Sequence, residues 1–134
     1  MSGKPECLER SRKVCMNTRE IGTFYEDAAC EYLCSQGITI IERNFRCRQG
    51  EVDIIGRDKD CVLFVEVKYR RTDSFGDALC AVPFRKQKKI CRCADYYCMT
   101  HPWIRHFRYD VVGITDIRIE WIKNAFYHIG YHWN

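Results

Sequence analysis

Several things are missing from this chain. The opening residues, MSGKPECLERSRKVC, are polar and charged with no apolar stretch behind them, so no secretory signal peptide is expected. No apolar run reaches the roughly 20 residues that a membrane-spanning helix needs. The expectation is a cytoplasmic protein with no membrane partner. Histidine is scarce and scattered: His101, His106, His128 and His132 show no ligand spacing to one another, and tail or surface positions are expected for them. Paired CxxC-type spacing is missing too. Of the ten cysteines, Cys30-x3-Cys34 has no second pair nearby, and Cys91-x-Cys93 lacks the usual zinc-site gap. In a reducing cytosol such thiols stay unbridged, and many of them sit where a small core residue fits. There are no internal repeats, linkers or low-complexity tracts. The net charge of +4 permits nucleic acid binding without demanding it.

What is present fits one domain. A chain of 134 residues buries about two-thirds of its unfolded surface, and its 46% hydrophobic and 30% charged content is ordinary for a globular protein. Residues 1–17 show no period and read as a flexible arm, with Arg10, Arg12 and Lys13 adding weak positive charge. The folded part runs over 18–127, followed by an aromatic tail at 128–134. From Thr18 to Gln36 the pattern is helical, with Ile21, Phe24, Tyr25, Ala28, Ala29 and Tyr32 on one face. Thr18 is the expected start, without a full capping box, and Gly37 the stop. Strands are expected at Ile38–Arg46, Val52–Arg57 and Val62–Arg70, and a loop over Thr72–Gly76. A second helix follows from Pro83 to Met99, with the proline suited to its first turn. Phe107–Ile114 and Ile117–Ile122 complete the set as strands four and five. The order is αβββαββ. Strands one to three suit an antiparallel meander, and the second helix crosses over so that strand four lies parallel to strand three. The expected fold is therefore α/β, a three-layer α/β/α sandwich with a mixed five-stranded sheet.

The stretch from Gly50 to Arg70, GEVDIIGRDKDCVLFVEVKYR, carries charge where a core should be apolar. Asp53 lies within Val52-Asp53-Ile54-Ile55, and Glu66 and Lys68 lie within a run of valine, leucine and phenylalanine. Charged side chains are almost never buried unless paired or holding a metal. Alternation puts Glu66 and Lys68 on one face, roughly 7 Å apart. As a hairpin, the two strands bring two carboxylates and an ammonium together, a set able to hold a divalent cation and activate a water for phosphodiester cleavage. Alone, Glu66 and Lys68 are also what a surface ion pair looks like; Asp53 in its own apolar run favours a site.

The D…ExK arrangement of Asp53, Glu66 and Lys68 resembles the core of the PD-(D/E)xK nucleases, the restriction-endonuclease-like superfamily. The likeness extends in order and spacing over residues 20–127. It takes in Gly22 and Glu26, Ile41-Glu42-Arg43-Asn44-Phe45-Arg46, Gly50 to Ile55, Phe64 to Lys68 with Arg70, Phe75-Gly76, Lys86-Gln87, Arg108 to Val112 and Asn124-Ala125-Phe126. On these residues the chain is identified as a member of the YraN family of small endonuclease-like proteins, similar to archaeal Holliday-junction resolvases. It departs from the family in carrying Tyr25 where a second glycine usually precedes the helix-one glutamate, and in its wealth of cysteine.

The resemblance implies a metal-dependent DNA endonuclease. Mg²⁺ or Mn²⁺ acts as a Lewis acid and lowers the pKa of its water, and hard oxygen ligands in small number suffice. Asp53 and Glu66 are the expected ligands, the Val67 carbonyl a third, and Lys68 the group that steadies the hydroxide or the phosphorane charge. Two readings of Glu26 stand level: a further acid of the cluster, as in resolvase-like relatives, or a helix-edge ion pair. Gln87 is either the site-touching glutamine of such nucleases or a solvated helix residue. Asp110 reads as a strand-end hydrogen-bond acceptor. Arg70 and Arg71 leave the third strand. Arg85, Lys86, Lys88, Lys89 and Arg92 run along the second helix with no acid between them, as phosphate contacts or as a solvated face. The rival readings are a binding module of the same fold that cleaves nothing, and a zinc- or thiol-based interaction protein. A resolvase-like role would call for a two-fold homodimer.

Overall fold

Asn17, not Thr18, starts the first helix. In this computed structural model, which describes residues 17–70 and 82–130, the Asn17 side chain accepts from the Glu20 N–H at 2.9 Å. Glu20 returns the bond to the Asn17 N–H at 3.0 Å, completing a capping box. The expected arm over residues 1–16, Arg71, the 72–76 loop and tail residues 131–134 lie outside the described residues. Helix α1 (Thr18–Ser35) ends at Gly37, whose φ of +93° a side chain would strain. Tyr25, Ala29 and Leu33 form its buried line. Leu33, fully buried, extends the expected face by one turn and contributes about 2 kcal/mol as a buried aliphatic.

Strands β1 (Thr39–Cys47), β2 (Gly50–Asp58) and β3 (Cys61–Tyr69) form the meander. The β2–β3 turn has two residues, and Lys59 at φ +59° supplies the left-handed conformation such tight turns require. Gly56 has no room for a side chain: a Cβ there would lie 2.9 Å from the Ile38 side chain. Helix α2 (Phe84–Thr100) then crosses over, and β4 (His106–Ile114) pairs parallel to β3. Pro83 is the N-cap of α2 rather than part of its first turn. Strand β5 (Ile119–Phe126) closes the sheet in the order β1-β2-β3-β4-β5. It starts two residues later than its apolar run suggests. The Thr115 hydroxyl accepts from the N–H groups of Ile117 and Arg118, folding them into a turn that leaves Ile117 exposed.

Alternation along the central strands divides the core in two. Leu63 and Val65 of β3 pack with α1, whereas Val62 and Phe64 pack with α2. One helix thus covers each face of a mixed five-stranded sheet. The thiols follow this plan in part: Cys91 and Cys93 are buried in the α2 layer, but Cys34 is exposed. The seven described cysteines are free thiols.

Asp110 is fully buried in β4 and is more than a strand-end acceptor. Its carboxylate takes bonds from Arg108 Nε, Trp121 Nε1 and the Asn124 N–H, each at 2.9 Å. Asn124, at φ +56°, lies opposite the register shift between Tyr109 and Val111. This network holds the irregular end of β5. His128 is an exposed tail histidine, as expected, and it has partners. It lies parallel to the Tyr109 ring, meets the Tyr109 hydroxyl at 2.6 Å and reaches Asp95 at 3.1 Å, seating residues 128–129 against α2.

Candidate active site

Two residues apart on a strand normally means one face. In β1 this rule fails across Asn44. Arg43 reaches α1, 2.7 Å from Asp27, while Phe45 packs edge-on against Tyr97 of α2. Strand β2 does the same across Asp53: Ile54 belongs to the α1 side of the core and Val52 to the α2 side. The register from Arg43↔Ile54 to Phe45↔Val52 sets Asn44 opposite Asp53. Asn44 takes φ +54°, a conformation asparagine tolerates better than other side chains bearing a Cβ. The two strands twist there together, and the Asp53 side chain turns along the sheet toward β3.

Strands β2 and β3 pair from Asp58↔Cys61 up to Ile54↔Val65. Asp53 and Glu66 are the next opposed positions, just past that paired stretch. Asp53 Oδ2 there accepts from the Val67 N–H at 2.9 Å, so a side chain replaces the backbone partner that β2 no longer offers. Glu66 is only 4% exposed. Its Oε2 lies 2.6 Å from Lys86 Nζ of α2 and 3.8 Å from Lys68 Nζ. Glu66 and Lys68 do share a face.

The Glu66 carboxylate lies close enough to Asp53 to perturb it. Burial, then the Glu66 charge, raises Asp53 from an ordinary 3.8 to about 8, against the opposing pull of the Val67 N–H. The nearby Glu26 charge and a hydrogen bond to Glu66 add to the rise. Asp53 therefore holds its proton at neutral pH. For Lys86, burial works against the charged form, but the hydrogen bond to Glu66 and the charges of Glu66 and Asp53 outweigh it and raise its pKa. The arrangement is a desolvated pair of acidic side chains flanked by two ammonium groups.

Glu26 approaches from α1. It stands 3.8 Å from Arg43 and, with Asn44, Arg19 and Arg46, lines a cleft of about 510 Å³ between α1 and the β1–β2 hairpin. Its charge bears on Asp53 and Arg43 at once. Among the described residues, no group of three His, Cys, Asp or Glu side chains is placed to hold a metal ion. The pair Asp53 and Glu66 suits a hard cation that keeps most of its waters. Gln87 turns its amide to the Val82 carbonyl at 2.9 Å, bracing the start of α2. Arg70, Arg85, Lys88 and Lys89 are exposed. Arg92 turns inward instead, bonded to Asp95 at 3.2 Å and to the Ile129 carbonyl.

Two site features escaped the reading from sequence. Asn44 was available as a signal, an asparagine inside an otherwise strand-like segment where that residue is disfavoured. The pairing of Lys86 with Glu66 left no signal, because the partners lie on elements whose spacing the chain does not encode locally.

The profile of the uncharacterised protein family UPF0102 matches residues 25–114. Similar proteins share that description. A UPF0102 protein of Marinobacter nauticus is 43% identical over 114 residues, covering 81% of this chain and 93% of its own length. One from Photobacterium profundum is 45% identical over 115 residues, covering 82% and 92%. One from Coxiella burnetii is 41% identical over 111 residues, covering 81% and 92%.

Proposed function

Because this chain belongs to the UPF0102 family, whose description names no activity, we propose its function from the site: a divalent-cation-dependent endonuclease that hydrolyses phosphodiester bonds in DNA. One helix on each face of a mixed sheet supports reading the fold as a three-layer sandwich of the restriction-endonuclease-like kind. The observation that carries the proposal is the acid pair. Asp53 is raised to about 8 by burial and by Glu66, a cost that structural carboxylates rarely bear and that functional sites commonly do.

Asp53 and Glu66 would hold Mg²⁺ or Mn²⁺, with the Val67 carbonyl and Glu26 as further oxygen donors. Bound there, the cation supplies Lewis acidity and lowers the pKa of a water. Lys68 is set to steady the attacking hydroxide or the charge that grows on phosphorus. Lys86 neutralises Glu66 at 2.6 Å and is free to meet a phosphate oxygen once Glu66 is otherwise satisfied. Arg70, Arg85, Lys88 and Lys89 supply phosphate contacts, which position a strand without reading its sequence. Cutting both strands of a junction would take a two-fold dimer. Among the described residues no helix is long and apolar enough to cross a membrane.

A second reading, a DNA-binding module of the same fold, draws on the Lys86–Glu66 contact, which neutralises Glu66 without any cation. The deciding experiment is a panel of branched, single-stranded and duplex DNA with Mg²⁺ or Mn²⁺, using wild type and Asp53→Asn. Cleavage by wild type alone supports the nuclease. Equal cleavage by both assigns the activity to a contaminant or another site. DNA bound by both and cut by neither selects the binding module.

A further inference from the structure

Phe84 opens α2 and is 61% exposed. An aromatic side chain of that size normally contributes its area to a core or an interface. Its surroundings are cationic. Arg85 follows it, Lys88 Nζ lies 5.7 Å from the ring centroid, and Lys86, two residues on, reaches Glu66 at 2.6 Å. Two residues correspond to about 3 Å along a helix axis, so the ring leaves the same helical turn as the lysine that reaches the acid pair. The first turn of α2 carries no acidic residue. An exposed ring set among ammonium groups beside a phosphate-handling site is how proteins hold single strands: cations track the backbone and an aromatic face takes a base.

We propose that Phe84 is a stacking platform for one unpaired nucleobase next to the phosphate that enters the Asp53–Glu66 site. The preferred substrate is then a DNA strand whose bases are already unstacked, at a single-stranded stretch, a frayed end or a branch point. The inference rests on the nucleic-acid reading above. It adds a substrate class that phosphate contacts alone cannot select, since duplex and single strand both present phosphates. Lys88 over the ring contributes a cation–π contact on the protein side and stays within reach of the neighbouring phosphate.

The test measures binding in EDTA, so that nothing is cut, to a single strand and a blunt duplex of equal length at several salt concentrations. The single strand carries 2-aminopurine as a reporter of stacking. Wild type, Phe84→Ala, Phe84→Leu and Phe84→Trp are compared. Stacking contributes about 1–3 kcal/mol per base, so the alanine variant should bind the single strand about 5- to 100-fold more weakly. Duplex affinity and the salt slope should hold. Leucine, apolar but without a π face, should behave like alanine, whereas tryptophan should restore binding and the 2-aminopurine quench. Equal losses on both DNAs, full binding by the leucine variant, or no change in the alanine variant would overturn the stacking role while leaving the nucleic-acid reading in place. Failure of wild type to bind either DNA at low salt would overturn both.

Discussion

Replacing Asp53 by asparagine keeps the shape of the acid pair and removes its titration. The asparagine oxygen can still accept from the Val67 N–H, and its amide can donate to Glu66 as the protonated acid does. Asp53 rises from 3.8 to about 8 on folding. A carboxyl whose pKa is raised in the native state contributes stability that is fully present below the unfolded value. That contribution is lost as pH rises through the folded value. The window is therefore about pH 4 to 8. At about 1.4 kcal/mol per pH unit, the wild type loses up to about 6 kcal/mol across it, and the asparagine variant loses none of this. Urea unfolding in EDTA near pH 4.5, 7 and 9 measures the difference, with other titrating groups cancelling between the two proteins. The variant should match wild type at the lowest pH and exceed it by at least about 2 kcal/mol above pH 8. A difference independent of pH would refute the coupled acid pair. Binding of Mg²⁺ by wild type near pH 7 should also release a proton, read by calorimetry in buffers of different ionisation enthalpy, and the variant should release none.

Other substitutions probe the remaining parts. Lys88→Ala with Lys89→Ala should weaken binding to all DNA sequences alike and flatten the dependence on salt; unchanged affinity and slope would mean a merely solvated face. Asp110→Asn leaves Arg108 largely buried beside a neutral partner and should lower unfolding stability by about 3 kcal/mol, visible in the urea midpoint at unchanged slope. Asn44→Val places a branched side chain at φ +54° and should cost about 1–3 kcal/mol, whereas Asn44→Gly should be close to neutral. Equal stability of those two variants would mean that the left-handed twist opposite Asp53 is not fixed by backbone conformation.

Much of the architecture was legible because it depends on short-range periods. The three-and-four spacing of Tyr25 and Ala29 marks α1. The period of two places Glu66 and Lys68 on one face, and their 3.8 Å contact follows from that period. The element order and the parallel return of β4 follow from segment lengths and turn residues. The misses have physical causes. Asn17 and Glu20 hold the three-residue spacing of a capping box, but the threonine beside them is also a favoured cap by composition. Ile117 is apolar yet belongs to a turn, because the Thr115 hydroxyl bonds the next backbone groups and overrides strand propensity. Alternation fails at Asn44 and Asp53, so faces assigned from period two do not carry through that point. The inward turn of Arg92 is tertiary: Asp95 and the Ile129 carbonyl capture a guanidinium that charge patterning alone places outside.

The route of the chain also separates the site in time. Asp53 and Val67 lie fourteen residues apart on strands joined by a two-residue turn, so the acid pair belongs to a local hairpin. Lys86 reaches Glu66 only when α2 has docked across the sheet, and β4 must find β3 through the same crossover. Local contacts form early and distant ones late. A refolding chain thus brings two carboxyl groups together with only Lys68 beside them, before the closer ammonium of Lys86 arrives. A proton on Asp53 quiets that repulsion; once both groups are ionised the hairpin forms against it. The refolding rate of this protein, and not only its final stability, should therefore fall as Asp53 ionises, with the asparagine variant folding at a rate that pH leaves alone through the same range.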